Sequence, residues 1–148
     1  MSLVPNVPEP ANTPPLCVLV VDDQAAVREG LARLIAGAPH GLRIVHTAAT
    51  AGAAIELARR FAPQVVVLDV DLDGVDGLAL VPYFIRRGRV LVLTSHGGSA
   101  TRARARALGA SAFVEKSEPA AVLLNTIAAL WADWRSATGG VDLEVQAG

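Results

Sequence analysis

Apolar and polar positions along this chain switch repeatedly between two periods. Leu16–Val21 is a continuous, mostly β-branched run, as expected of a strand buried on both faces. Gln24–Ala36 then places Val27, Leu31, Leu34 and Ile35 on one helical face, and Gly37 and Pro39 stop it. Leu42–His46 predicts a short second strand. Thr50 is the expected N-cap of a second helix with Ile55, Ala58 and Phe61 inward, ended by Pro63. Val65–Leu68 predicts the third strand, and Asp71–Gly77 a turn-rich loop.

The alternation continues to the last helix. Leu78, Val81, Phe84 and Ile85 have helical spacing, with Pro82 near the first turns. Val90–Leu93 predicts a fourth strand and Ser95–Ser99 a loop. Thr101–Leu108 is a short Arg-rich helix, with Gly109 as its C′ residue. Ser111–Val114 predicts a fifth strand. Glu118–Trp134 carries Leu123, Ile127, Leu130, Trp131 and Trp134 on one face. Residues 1–15 hold five prolines and predict an extended arm, and Ser136–Gly148 loses the pattern and predicts a tail or linker. One domain is therefore expected over residues 16–134. Five successive βα units with right-handed crossovers make an α/β, doubly wound parallel sheet with helices on both faces.

Composition narrows the function. The chain has 148 residues, enough for one core, and at 4% aromatic content that core must be built from Ala, Val, Leu and Ile. A formal net charge of -1 gives no global field toward nucleic acid or an acidic membrane. No apolar run approaches the roughly 20 residues of a membrane span. The N-terminus lacks the basic and apolar regions of a signal peptide, and the single cysteine, Cys17, excludes an internal disulfide. These features fit a cytoplasmic protein, with Cys17 a buried structural thiol.

The chemistry lies at the strand ends. Asp22 and Asp23 close the first apolar run and Asp69 the third. Carboxylates at the ends of two parallel strands can converge, and three such charges repel unless a hard divalent cation sits among them. This predicts a Mg²⁺ site. Thr94 and Lys116 also follow strands directly, which places all five residues along one sheet edge, where doubly wound folds bind ligands. A carboxylate can act as a nucleophile and form an acyl phosphate, and phosphoryl transfer mainly needs positioning and charge neutralisation. Asp69 as acceptor, Asp22 and Asp23 as metal holders, Thr94 as hydroxyl donor and Lys116 as counter-charge form a complete set.

The motifs Val-Leu-Val-Val-Asp22-Asp23, Val-Val-Val-Leu-Asp69, Asp76-Gly77-Leu78, Val-Leu-Val-Leu-Thr94 and Gly109-Ala-Ser-Ala-Phe113-Val-Glu-Lys116 occur in this order. In that order they resemble the receiver domain of bacterial response regulators, over about Leu16–Trp134. The resemblance implies a flavodoxin-like fold with strand order 2-1-3-4-5. It implies that Asp69 accepts a phosphoryl group from the phosphohistidine of a sensor histidine kinase or phosphotransfer protein. Asp23 would bind Mg²⁺ directly, with Asp22 assisting and the backbone carbonyl of Asp71 as a further ligand. Thr94 and Lys116 would contact the phosphoryl group. Phe113 matches the aromatic switch position, which moves inward with Thr94 and alters the surface of the fourth helix, fifth strand and fifth helix. An output domain after the receiver is common in the family; Ser136–Gly148 is too short to be one, so the chain is expected to be a stand-alone receiver or a fragment.

Departures from the family pattern mark what is particular here. Asp73 stands where proline is usual, and Asp71 and Asp73 add carboxylates beside the acceptor. Asp71, and His96 two residues after Thr94, occupy positions expected to tune dephosphorylation. The stretch from the third helix to Val90 is several residues shorter than usual. Ser117 replaces the common proline after Lys116, leaving a cis peptide there open.

Three other readings compete with this one. A haloacid-dehalogenase-like phosphatase would also use Asp69-Val-Asp71 and Thr94, but its acidic pair follows the lysine instead of preceding it. A degenerate receiver would act only as an interaction module. Nucleic-acid binding rests on Arg102, Arg104 and Arg106, whose alternate spacing scatters them around a helix as a solvated face. Trp134, at a helix edge, suggests self-association through the fourth and fifth helices.

Overall fold

A computed structural model describes residues 15–38, 43–95 and 97–147. The arm up to Pro14, and Pro39, Leu42, His96 and Gly148, lie outside the described residues. Five parallel strands, β1 (Leu16–Val21), β2 (Arg43–Ala48), β3 (Val65–Asp69), β4 (Arg89–Thr94) and β5 (Ala112–Glu115), form one sheet in the order 2-1-3-4-5. This is the flavodoxin-like arrangement. β1 and β3 are buried along almost their whole length, because helices cover both faces of the sheet's centre.

The helices divide between the faces. α1 (Ala25–Ala36) and α5 (Ala120–Ala147) cover one, where Ile35, Leu123 and Ile127 pack on Leu16, Val18, Val20 and Val67. α2 (Ala51–Phe61), α3 (Val81–Phe84) and α4 (Ser99–Ala107) cover the other, with Ala54, Ala58, Val81, Phe84 and Ala105 against Leu19, Val66, Leu68 and Val92. The Thr50 hydroxyl caps α2 by accepting from the Ala53 N–H at 3.1 Å. Gly109 follows α4 with φ of 105°, as a C′ glycine should.

Several sequence expectations are corrected. Phe61 does not point into the core: it is 41% exposed and stacks on His46, ring centroids 3.9 Å apart. It lies in the last turn of α2, and the ring on edge strand β2 gives it a flat apolar partner there. Ile55 is only half-buried, because Ala54, Leu57 and Ala58 form the inward stripe. Cys17 is half-buried and free. The third helix shrinks to a 3₁₀ turn, Gly77–Leu80, and the single turn of α3. The loop after Asp69 contains a two-residue antiparallel ribbon, Asp71–Leu72 against Val75–Asp76, turned by Asp73 and Gly74 at positive φ. The backbone of α5 stays helical to Ala147, where loss of amphipathic pattern had predicted a tail; the segment lacks a proline to break it. No cis peptide occurs among the described residues. Among them, no helix is long and apolar enough to cross a membrane.

Candidate functional site

The parallel register carries the five singled-out residues to one edge. Asp22 follows β1, Asp69 ends β3, Thr94 ends β4 and Lys116 follows β5. β1 pairs with β2 on one side and β3 on the other, so the order of strands reverses beside Asp22. An open pocket of about 410 Å³ lies at this point, lined by Asp23, Asp69, Asp71, Thr94, Thr101 and Lys116 among others.

Backbone contacts hold the acids in place. One oxygen of Asp22 accepts from the Gln24 N–H at 2.9 Å, tying the carboxylate to the entry of α1. The Asp69 carboxylate accepts from the Asp71 N–H at 3.4 Å. Gly77 closes the following turn: its N–H donates to Val70 O at 2.6 Å, and a Cβ there would sit 2.0 Å from the Asp69 carbonyl oxygen. Only glycine leaves room for that approach.

Asp22, Asp69 and Thr94 are buried polar residues, and Asp23 is half-buried. Carboxylate oxygens of Asp22, Asp23 and Asp69 lie within 4.8 Å of one another. The Lys116 Nζ spans two strands to reach Asp22 Oδ2 at 2.9 Å and Asp69 Oδ2 at 3.3 Å. Burial and the neighbouring Asp22 charge push the Asp69 carboxyl above its usual range, against the pull of Lys116 and the Asp71 N–H. Burial works against the Lys116 charge, but its bonds and charge attraction to Asp22 and Asp69 outweigh that and raise its pKa. One ammonium faces three carboxylates, so the pocket retains net negative charge. That donor set fits a hard divalent cation.

Two contacts escaped sequence reasoning. Arg28 Nη1 donates to the Asp22 carbonyl at 2.8 Å, locking the strand end to α1. Arg104 bonds Asp76 at 2.6 Å and so ties α4 to the ribbon that carries Asp71. Spacing gave no sign of either. The arginines of α4 are therefore more than a solvated face: Arg102 also lies over the half-buried ring of Phe113, 4.4 Å from its centroid.

Residues 18–128 match the response regulator receiver domain family. The chain belongs to this family. It is 38% identical over 112 residues to protein-glutamate methylesterase/protein-glutamine glutaminase 2 of Anaeromyxobacter dehalogenans, a match covering 74% of this chain and 32% of that protein. The chain thus spans about a third of the length of that curated relative, and the methylesterase activity in its name is a property of that protein. A solved LuxR-family two-component response regulator from Aurantimonas sp. SI85-9A1 superposes with a TM-score of 0.74 at 37% identity, covering 81% of this chain and 87% of that one. A Burkholderia pseudomallei response regulator, solved with a phosphorylated aspartic acid, calcium ion and citrate, gives 0.68 at 26% identity, covering 87% and 74%. Receiver domains bind Mg²⁺ at an acidic pocket and work with a histidine kinase or phosphotransfer partner.

Proposed function

We propose that this receiver is a working phosphoacceptor with Asp69 as the residue modified. The observation that supports it best is the convergence of Asp22, Asp23 and Asp69 within 4.8 Å, bridged by Lys116, at the switch point of the sheet. Asp22, Asp23, Asp69 and the Asp71 carbonyl would hold Mg²⁺. When bound, it neutralises charge on the phosphoryl oxygens and on the crowded acids.

An Asp69 oxygen attacks phosphorus in line with the bond to the phosphohistidine nitrogen. The P–O bond forms as the P–N bond breaks, and the imidazole leaves with the electron pair and takes up a proton. The Lys116 ammonium and the Thr94 hydroxyl receive the phosphoryl oxygens. Thr94 moves toward them, and Phe113 follows inward from beneath Arg102, which reshapes the α4–β5–α5 surface. Asp71, two residues after the acceptor and exposed with its carboxylate on the Gly74 N–H, orients or repels the water that later removes the phosphoryl group; His96 is proposed for the same tuning. An output domain or partner reads the changed surface. Self-association gains no support from Trp134, whose indole N–H is used internally on the Arg87 carbonyl at 3.3 Å.

Beryllofluoride mimics a phosphoryl group on a carboxylate and gives the test. With Mg²⁺ it should shift the amide resonances of Asp69, Thr94, Phe113 and Lys116 in ¹⁵N-labelled protein, and Asp69→Asn should abolish the response. Absence of any Mg²⁺-dependent response in the unaltered chain would favour the degenerate receiver, an interaction module without phosphoryl chemistry.

A further inference from the structure

We infer that the cleft between the end of α2 and α3 is a second binding site, for an acidic peptide segment that inserts one large apolar side chain. It lies on the α2–α3–α4 face at the start of β3 and β4, the sheet end opposite Asp69. Its volume is about 350 Å³, within the range of ligand pockets. Ala58, Val66 and Phe84 give an apolar floor, and Tyr83, Arg86 and Arg87 stand at the rim.

Two features open this cleft. α3 has only one turn, so little covers the last turn of α2. The residues lining the cleft there are small: Ala58 in the last turns of α2 and Ala62, its left-handed C-cap, which do not fill the gap. The walls are nevertheless fixed. Arg89 N donates to Gln64 O at 2.8 Å, and Gly88 lies so close that a Cβ would stand 2.6 Å from the Pro63 carbonyl oxygen. The cleft is preformed, which lowers the ordering cost of binding.

Charge selects the occupant. Arg59 and Arg60 lie in the last turn of α2, just ahead of Phe61, and Arg86 and Arg87 flank the cleft from the turn after α3. Arg59 is paired with Glu56. Arg60 lies over the Phe61 ring, 5.4 Å from its centroid, and no carboxylate among the described residues pairs with Arg60, Arg86 or Arg87. Two exposed guanidinium groups without acid partners, Arg86 and Arg87, beside an apolar floor with an exposed tyrosine, complement carboxylates that flank a buried anchor. Nucleic acid is the poorer fit, since a phosphate backbone makes no use of an apolar floor.

The probe is a fluorescein-labelled peptide, Glu-Glu-Asp-Trp-Glu-Glu, titrated into the full chain. Saturable binding should weaken at least about tenfold in Arg86→Glu/Arg87→Glu, in Tyr83→Ala, and when the peptide tryptophan is replaced by alanine. Mg²⁺-dependent beryllofluoride binding should persist in each variant, which shows that the fold and the Asp69 site are intact. Loss of peptide binding with the beryllofluoride response retained supports the second site. No saturable binding, or affinity unchanged by these replacements, overturns it. So would tighter binding of duplex DNA than of the peptide, or sedimentation showing that the arginines join two copies of this chain.

Discussion

The two ends of the sheet carry pockets of similar size and opposite construction. At the carboxyl end, about 410 Å³ is lined by Asp23, Asp69 and Asp71; Asp69 is held by the Asp71 N–H and Lys116, and the adjoining buried Asp22 by the Gln24 N–H and Lys116. At the amino end, about 350 Å³ is lined by alanines and aromatic rings, with exposed arginines and no acid among its lining residues. The near balance of 13 basic and 14 acidic residues hides this polarity. Desolvated, crowded carboxylates repel, and a tightly placed cation relieves them. Exposed guanidinium groups over an apolar floor require no such geometry. The first end suits chemistry at one atom, and the second suits association.

Each end depends on a glycine in tight backbone contact, so the comparison can be broken there first. Gly77→Ala drives a Cβ against the Asp69 carbonyl, and it should cost about 3 kcal/mol or more by urea unfolding while also disturbing Mg²⁺ binding. Gly88→Ala meets its neighbour at a less severe 2.6 Å and should cost less, with Mg²⁺ affinity unchanged. Equal effects of both on Mg²⁺ would show that the two ends are not independent.

The next test removes charge at one end only. Asp23→Ala should weaken Mg²⁺ at least about tenfold, close to 1.4 kcal/mol, by calorimetric titration. Arg86→Glu/Arg87→Glu should leave that affinity alone.

The smallest effect belongs to the link between α4 and the acceptor ribbon. The Arg104–Asp76 pair is about half exposed and screened by solvent, so Arg104→Ala should lower stability only slightly at neutral pH. Its hydrogen bond from Arg104 holds the Asp76 carboxyl below the usual range. A depressed carboxyl contributes its stabilisation above the ordinary carboxylate pKa and loses it as pH falls through the depressed value. The difference between Arg104→Ala and the unaltered chain should therefore shrink in acid, by urea unfolding across that range.

The two ends were not equally legible in the sequence. Asp22, Asp23, Asp69, Thr94 and Lys116 each follow an apolar run, and parallel strands bring run ends together, so the acid pocket could be assembled on paper. The cleft could not. Ala58 and Ala62 carry no chemical signal, and they meet Tyr83 and Arg86 only because α3 is cut to one turn. Phe61 had the correct helical phase for burial, yet at the last turn the edge strand's His46 offered a better surface. The ribbon after Asp71 was hidden because Asp, Leu and Gly at that spacing read simply as a turn.

Intact mass spectrometry after incubation with a phosphorylated histidine kinase, or with a small phosphoramidate and Mg²⁺, tests the central claim most directly. The chain should gain the mass of one phosphoryl group, lose it on hydroxylamine treatment, and gain none as Asp69→Asn. No added mass, or the same added mass in Asp69→Asn, would contradict the assignment of Asp69 as the phosphoacceptor.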